Sequence, residues 1–410
     1  MLKLIIVSLF IPLMAFAKIE LGIDRLLSDQ KYFELVHNKR VGLVTNHTAL
    51  TGNLESSIDQ LMKSTDLQVV ALFSPEHGLN GQSHANDEVD YQNHNYSIPV
   101  YSLHGKTRRP TTDMLKDIDV LIFDIQDIGS RSYSYCSTLF YVMEEASKHN
   151  IKVIVTDRPN PMGGLIVDGP MMEEQFRSFL GYINVPYCHG MTIGELALLF
   201  NHEYKVGCKL TVIPMRGWKR SMSFRDTGLT WVPTSPQIPE MDTPFFYPTT
   251  GGILGELHIV NIGIGYTLPF KIVGAPWINA EKFAAKLNAQ HFDGVYFQPF
   301  HFRPFFGAHK MKNCQGVRIV ITDEKRFLPI TTQFLIVGIL KSMYPKQFKE
   351  GLEKAKSQQK LLQKINGTDE VMRIISEEKY VIYALKKICD DARVSFLPIR
   401  NQYLIAEYKN

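Results

Sequence analysis

The chain has 410 residues, of which 45% are hydrophobic, so it can bury a large core, and the usual size of about 100–200 residues per domain favours two domains over three. The formal net charge is only +4, with no block of lysines and arginines, which argues against nucleic acid as a partner. The five cysteines are scattered and lack CxxC spacing, so neither a disulfide framework nor a zinc site is expected.

The amino-terminal segment 1–17 has the features of a signal peptide. Lys3 precedes an apolar stretch that closes on Ala15 and Ala17, the small-residue spacing that a signal peptidase needs. The stretch is shorter than the roughly 20 residues that span a bilayer and contains Pro12, so a retained membrane anchor is the weaker alternative. We therefore expect an exported protein, periplasmic or extracellular, with no stable membrane span after cleavage.

Short apolar runs rich in β-branched residues alternate with helical periodicity after residue 40. Strands are predicted over residues 41–45, 69–73, 99–103, 120–125, 153–156 and 210–215. Helices are predicted over 54–64, 137–150 and 192–204, the last beginning with the capping-box spacing of Thr192 and Glu195. The alternation predicts an α/β fold, with a Rossmann-like parallel sheet domain over residues 18–215. Neither GxGxxG after the first strand nor GxxxxGK[ST] occurs, so nucleotide binding is not supported.

The composition changes over residues 216–250, which are rich in proline, threonine and aromatic residues. This segment is predicted to be a linker or a covering loop. Beyond it, strand-like runs at 295–306 and 316–323 and helical stretches at 333–344 and 346–364 predict a smaller α+β auxiliary domain, residues 251–410.

Polar side chains follow four of the predicted strands. Because ligands of open parallel sheets bind beyond the carboxyl ends of the strands, we expect these side chains at one edge. They are Asn46 and His47 after the first strand, Glu76 and His77 after the second, Asp124, Gln126, Asp127, Arg131, Tyr133 and Tyr135 after the fourth, and Asp157, Arg158 and Asn160 after the fifth. Each also has a structural explanation: an aspartate can cap a helix, and Asp124 needs a charged partner such as Arg131 or Arg158 if it is buried.

Glu76 differs from the others because it follows an apolar strand and a proline that stiffens the turn, Pro75. Partial removal from water favours the neutral form of a carboxyl group, which is the setting of a general acid. Such a group can protonate a leaving-group oxygen or, when ionised, orient a water molecule. The alternative is a loop glutamate paired with a neighbouring arginine.

Two other chemistries use similar residues. Metal-assisted hydrolysis would need ligands drawn from His77, His84, Asp87, Asp124, Asp127 and His189. No HExxH or close histidine pair fixes such a site, so we expect no metal and no cofactor. Covalent serine catalysis is not expected either, because the chain has no GxSxG elbow.

An ordered series of motifs runs from near residue 22 almost to residue 408. In chain order it comprises KRVGLVTNHT, ALFSPEHG, NDEV (86–89), PVYSLHGKTRRPT, DVLIFDIQDIGSRSYSY, DRPNPMGG, HGMTIGELA, YP (247–248), PFKIVGAPWI, CQGVRI, INGTDEVMRII and NQYLIAEY. In this order and content the chain resembles the NamZ-like exo-β-N-acetylmuramidase family. The resemblance implies a cleft between a Rossmann-like catalytic domain and an auxiliary domain. It also implies hydrolysis of a terminal β-linked N-acetylmuramic acid from the non-reducing end of peptidoglycan fragments.

The resemblance also implies roles for individual residues. The family's proposed catalytic glutamate, in the PEHG motif, corresponds to Glu76. Other matching positions are substrate-binding candidates: Asn46, His77, Gln126, Asp127, Arg131, Tyr133, Asp157, Arg158, Asn160 and His189. Arg131 or Arg158 could grip the lactyl carboxylate of the sugar, and Tyr133 could stack on its ring.

One region departs from the family pattern. Where the family commonly has F-E-G-T-N and then G-R-G-T, this chain keeps Glu256 but has His258 and Ile259 in place of T-N and Ile264 in place of the arginine. The family's P-S-P-N is TSPQ here, at residues 234–237. Glu256 is the candidate for the second carboxylate that glycoside hydrolysis normally requires. The alternative is a carbohydrate-binding or envelope protein that kept the fold and lost turnover.

Overall fold

The computed structural model describes residues 18–84, 87 and 96–409. The predicted signal peptide, residues 1–17, and most of the NDEV motif lie outside the described residues.

The larger sheet has six strands, all of them parallel. Its strands are β1 (Arg40–Thr45), β2 (Gln68–Ser74), β3 (Val100–Ser102), β4 (Val120–Asp124), β5 (Lys152–Thr156) and β6 (Lys209–Ile213), in the spatial order β3-β2-β1-β4-β5-β6. Every predicted run overlaps one of these strands, and all positions of β4 are buried. Burial on both faces explains why the strands are continuous apolar runs rather than alternating ones. The prediction of a Rossmann-like α/β fold is confirmed.

Helices connect and cover these strands. They are α1 (Gly22–Ser28), α2 (Gln30–Phe33), α3 (Ser57–Lys63), α4 (Thr112–Leu115), α5 (Ser134–Lys148) and α6 (Ile193–Glu203). The predicted capping box is present at α6, where the Thr192 side chain accepts a hydrogen bond from the backbone N–H of Glu195 and the Glu195 carboxylate accepts one from the N–H of Thr192. Two donors of the first helical turn are thereby satisfied.

The second part of the chain contains a small antiparallel sheet surrounded by helices. Its elements are α7 (Thr243–Phe246), a π-helical turn (Tyr247–Gly251), α8 (Ile253–Leu257), β7 (Ile272–Ala275), α9 (Ala280–Asn288), β8 (Val295–Phe302), β9 (Cys314–Ile321), α10 (Pro329–Met343), α11 (Pro345–Ala355), α12 (Gln359–Asn366), α13 (Glu370–Glu377) and α14 (Val381–Arg400). The sheet order is β7-β9-β8. The predicted auxiliary unit is therefore of the expected α+β type.

The two parts of the chain share one hydrophobic core and are tied by hydrogen bonds. After α14 the chain returns to the larger sheet, where the Tyr408 hydroxyl donates to Oδ2 of Asp157 at 2.6 Å and accepts from the backbone N–H of Met215 at 2.8 Å. The domain limits at residues 215 and 251 stay predictions, but these contacts place residues 401–409 against the first part of the chain.

The segment that follows β6 passes over the carboxyl edge of the larger sheet. The Pro233 carbonyl lies 2.6 Å from Nε2 of His47, and the hydroxyl groups of Tyr133 and Tyr135 donate to Oγ1 and the carbonyl of Thr234 at 2.9 and 2.6 Å. Residues 233–234 therefore cover the strand ends at this edge. Among the described residues, no helix is both long and apolar enough to cross a bilayer.

Candidate active site

A cleft of about 440 Å³ lies between the carboxyl edge of the larger sheet and the second part of the chain. Its polar lining includes Glu76, His77, His84, Ser132, Tyr133, Ser134, Ser235, Gln237, Tyr247, Glu256, His258 and Asn261. A larger groove of about 1210 Å³ runs along α11, α13 and α14, but none of the sequence-predicted site residues lines it. The smaller cleft is therefore the candidate active site.

Glu76 faces this cleft from the turn after β2. The turn is tight, since both His77 and Gly78 have positive φ, of 69° and 76°. One carboxylate oxygen of Glu76, Oε2, accepts a short hydrogen bond from the hydroxyl of Ser134, the first residue of α5. The other, Oε1, lies 3.7 Å from Nε2 of His104, and the Glu76 side chain is only 13% exposed. The carboxyl is thus shielded and oriented while still reaching the cleft.

His104 lies behind Glu76 and is buried. Burial is the largest influence on its ring and lowers the pKa of His104, while the Glu76 carboxylate acts in the opposite direction. A lowered pKa keeps this imidazole neutral near pH 7. Its Nδ1 has no hydrogen-bond partner among the described residues.

A second carboxyl group, that of Glu256, enters the cleft from α8. Burial raises the pKa of Glu256, and the neighbouring His258 opposes this rise. Tyr247 lines the same cleft, and its pKa is raised to about 12, first by burial and further by the negative charges of both Glu76 and Glu256. The Tyr247 hydroxyl therefore lies within electrostatic reach of both carboxyl groups.

The structure brings together four of the residues predicted for the site. Glu76, His77, Tyr133 and Glu256 all line the cleft. The Nδ1 atom of His77 lies 2.7 Å from the carbonyl of Ser83, which fixes the ring at the cleft wall.

Asn46, Gln126 and Asp127 lie at the same sheet edge but do not line the cleft. Oδ1 of Asn46 accepts hydrogen bonds from Thr48, and Nε2 of Gln126 donates to the carbonyls of Asp127 and Pro159 at 2.7 and 2.8 Å. Oδ2 of Asp127 accepts from the N–H of Gly129 at 2.7 Å, and burial raises the pKa of Asp127 to about 7. These side chains hold the loops behind the cleft.

Arg158 is the charged partner of Asp124, one of the structural alternatives considered for that aspartate. Nε and Nη2 of Arg158 donate to Oδ1 and Oδ2 of Asp124 at 2.7 and 2.9 Å, and both side chains are buried. Asp124 also accepts from the hydroxyl groups of Ser57 and Thr156 at 2.6 and 2.8 Å. Both side chains of the pair are therefore hydrogen-bonded inside the protein.

Arg131 is also bonded inside the protein. Its Nη1 donates to the carbonyls of Pro170 and Val185 at 2.8 and 2.7 Å, and its Nη2 donates to those of Ile365 and Asn366, at the end of α12, at 3.1 and 2.7 Å. Neither Arg131 nor Arg158 lines the cleft. These contacts do not favour the prediction that either guanidinium binds the lactyl carboxylate of the substrate.

The remaining three predicted binding residues are buried and have internal partners. Asp157 accepts from Thr192, Gly194 and Tyr408, and burial raises the pKa of Asp157 to about 7. Nδ2 of Asn160 donates to the carbonyl of Met191 at 3.0 Å. Nδ1 of His189 accepts from the N–H of Met191, and burial lowers the pKa of His189 to about 3.

Three residues that sequence reasoning did not single out lie around the carboxyl groups: His104, Ser134 and Tyr247. His104 follows the third strand, so its place at a strand end is a sequence signal for it. Ser134 lies between Tyr133 and Tyr135 in the sequence. In the part of the chain that the structure describes, no group of three or more His, Cys, Asp or Glu side chains is arranged to hold a metal ion.

Three of the residues that depart from the family pattern lie in the cleft. Gln237, His258 and Ile264 contribute to its lining. His258 ends α8 in a left-handed conformation, with φ of 51°, two residues after Glu256. These three departures therefore fall where a ligand would be bound.

Comparisons with known proteins bear on the whole chain. Residues 41–242 match the family model described as the N-terminal part of exo-β-N-acetylmuramidase NamZ, and residues 245–405 match its C-terminal part. The chain is 43% identical over 332 residues to the peptidoglycan β-N-acetylmuramidase NamZ of Bacillus subtilis strain 168, covering 81% of this chain and 79% of that protein.

Two crystal structures of DUF1343 family proteins from Bacteroides fragilis NCTC 9343 have the same fold. One is 40% identical, with a TM-score of 0.88 over 95% of this chain and 99% of that chain. The other is 28% identical, with a TM-score of 0.73 over 96% of this chain and 100% of that chain. Since both family models and the sequence identity cover most of the protein, the chain belongs to the exo-β-N-acetylmuramidase NamZ family and is a glycoside hydrolase.

Proposed function

We propose that the protein removes terminal β-linked N-acetylmuramic acid from the non-reducing end of peptidoglycan fragments. The observation that carries the proposal is that Glu76 and Glu256, from different parts of the chain, line one cleft. Glycoside hydrolysis normally needs two carboxyl groups that flank the scissile bond. The family membership and the muramidase activity in the name of the Bacillus subtilis relative support the choice of sugar.

In the proposed reaction, one carboxyl group donates a proton to the glycosidic oxygen as the bond to the anomeric carbon breaks. Water then supplies the hydroxyl group at the anomeric carbon and returns a proton to a carboxylate. Glu76 is the proposed acid/base residue, held by Ser134, and Glu256 is the proposed second carboxyl. Tyr133 and Tyr247 offer ring edges and faces to the sugar from the cleft wall.

The test uses a chromogenic β-N-acetylmuraminide and a muramyl disaccharide. Glu76→Gln is expected to lower kcat by about 10²-fold or more, as loss of a general acid or base does, while the exposed Glu281→Gln control keeps wild-type activity. Glu256→Gln is expected to lower kcat as well. Equal rates for wild type and Glu76→Gln would remove the catalytic assignment, and sugar binding without turnover by wild type would favour a binding protein.

Exo action and export are further parts of this proposal. On a longer glycan, exo action releases single N-acetylmuramic acid residues from the non-reducing end before any internal fragment. Export is supported by the sequence of residues 1–17 and predicts a mature protein that begins at Lys18. Mass spectrometry of the protein from periplasmic and culture fractions checks the new amino terminus.

A further inference from the structure

The cleft contains two acidic side chains and no fixed positive charge among the described residues. Glu76 and Glu256 line it, whereas no lysine or arginine does among the described residues. Lysine and arginine are also absent from the sequence of the internal residues that the structure does not describe, which are 85, 86 and 88–95. The groups of the lining that can become cationic are the histidines 77, 84 and 258.

Three arginines of the first part of the chain make contacts outside the cleft. The Arg131 guanidinium donates to four backbone carbonyls, and Arg158 is bonded to Asp124. Arg108, whose charge acts on His104, stacks over the Phe179 ring with 4.2 Å between the guanidinium carbon and the ring centroid. None of these three lines the cleft.

One wall of the cleft is apolar. It is formed by Val260, Ile262, Ile264, Phe270, Leu361 and Ile365. The cleft volume of about 440 Å³ is within the range of about 300–1,000 Å³ that encloses small organic ligands. A sugar that carries a substituent can therefore meet both the carboxyl groups and this wall.

Gln237 adds an uncharged polar group at the same cleft. Its side chain is half-buried and makes no hydrogen bond to any other described residue. A carboxamide both donates and accepts, so it matches an amide group in a ligand better than it matches a carboxylate.

We propose that the cleft selects muramyl residues whose lactyl carboxyl is neutral because it forms an amide, as where a peptide is attached, over those with a free carboxylate. This inference rests on the proposed function. A free carboxylate would lose its hydration beside two acidic groups with no fixed cation to compensate, which is unfavourable. An amide carries no charge, can pair with Gln237, and can pack its alkyl groups against Ile264 and its neighbours.

The test compares three chromogenic β-glycosides at about pH 8, where a histidine of ordinary basicity is neutral. The aglycone is the same in all, and the sugars are N-acetylmuramic acid, its lactyl N-methylamide, and N-acetylglucosamine. The amide is expected to have a kcat/KM about tenfold or more above that of the free acid. A free acid that is hydrolysed as well as the amide overturns the inference, as does an N-acetylglucosamine glycoside that is hydrolysed better than the amide.

A positive charge introduced into the apolar wall gives a second, independent test of the inference. Ile264 is partly exposed, so Ile264→Arg is expected to raise kcat/KM for the free acid about tenfold while changing that for the amide much less. Ile264→Met is the uncharged control and should keep the wild-type ratio between the two substrates. If Ile264→Arg does not fold, Leu361→Lys adds the charge from α12 at another partly exposed position. An unchanged ratio in a folded cationic variant overturns the inference.

The outcomes separate this inference from the proposed function. If wild type cleaves none of the three glycosides, the proposed hydrolysis itself fails. If wild type cleaves the free acid in preference to the amide, the hydrolysis stands and only the selectivity for a neutral lactyl group fails.

Discussion

The hydroxyl group of Ser134 donates a hydrogen bond to Oε2 of Glu76, so the first residue of α5 orients the carboxyl group that follows β2. β2 and α5 are separated in sequence, and their meeting depends on the strand order that places β1 between β2 and β4. The geometry of the proposed catalytic carboxyl is therefore set by the sheet topology as well as by its own turn.

Removal of the Ser134 hydroxyl is expected to weaken catalysis more than folding. A hydrogen bond to a charged group contributes about 1.5–3 kcal/mol, so Ser134→Ala should lower kcat by about tenfold or more with little change in KM. Ser134→Thr keeps the hydroxyl and should restore much of kcat. Steady-state kinetics with thermal unfolding of each variant checks this, and a loss of Tm without a loss of kcat would contradict a positioning role.

Asp127 is expected to make stability depend on pH. Burial raises its folded-state pKa to about 7, above its ordinary value, so the folded protein holds this proton more tightly than the unfolded chain does. The free energy of unfolding contributed by this group is therefore fully present below about pH 4 and falls as pH rises to about 7. Asp127→Asn does not titrate, so its stability relative to wild type should increase by a few kcal/mol across that window.

Denaturant unfolding of wild type and Asp127→Asn at a series of pH values measures this difference. Other buried acids such as Asp157 titrate in both proteins and cancel in the comparison. The exposed Asp113→Asn serves as the control and should run parallel to wild type. Parallel curves for Asp127→Asn would show that Asp127 does not titrate as stated.

The Asp124–Arg158 pair is expected to support folding. Removing one partner of a buried ion pair leaves an uncompensated charge, so Arg158→Met should lower the free energy of unfolding by about 3–5 kcal/mol. Arg40→Met breaks the exposed pair with Asp119 and should leave stability close to wild type. A stable Arg158→Met variant with a raised KM would instead assign Arg158 to substrate binding.

His258 is expected to tune the second carboxyl group. Because the charge of His258 opposes the burial that raises the pKa of Glu256, His258→Ala should raise that pKa further. One limb of the pH profile of activity is set by the ionisation of Glu256. This limb should then move to higher pH, whether Glu256 acts as acid or as base. His301→Ala, an exposed histidine elsewhere, is the control. An unchanged pH profile in His258→Ala would show that His258 does not affect the pKa of Glu256.

The strands of the larger sheet were predictable because burial on both faces leaves a strong sequence pattern. The run containing β4 is apolar at each of its first four positions and ends in the buried Asp124. The meeting of strand ends at one edge also follows from the parallel order. For this reason Glu76, His77 and Tyr133 could be expected near one another.

The spacing of those polar residues did not predict which of them line the cleft and which bond inside the protein. Arg131 and Arg158 occupy positions that suit a carboxylate-binding role, yet their partners come from residues distant in sequence, such as Asn366 for Arg131. Packing between the two parts of the chain decides these contacts. The same is true of Glu256, which reaches the cleft because α8 packs there rather than because of any local motif.

The bond between Tyr408 and Asp157 links a segment beyond α14 to the loop after β5. Beside it, the Trp218 and Tyr408 rings meet edge to face with 5.0 Å between their centroids. A fragment limited to residues 18–250 would lack Tyr408, and with it the ring that packs against Trp218 and the hydroxyl group that donates a hydrogen bond to Asp157. The halves of this enzyme should therefore melt together, in a single cooperative transition, and neither should be obtained as a stable product by cutting the chain between its sheets.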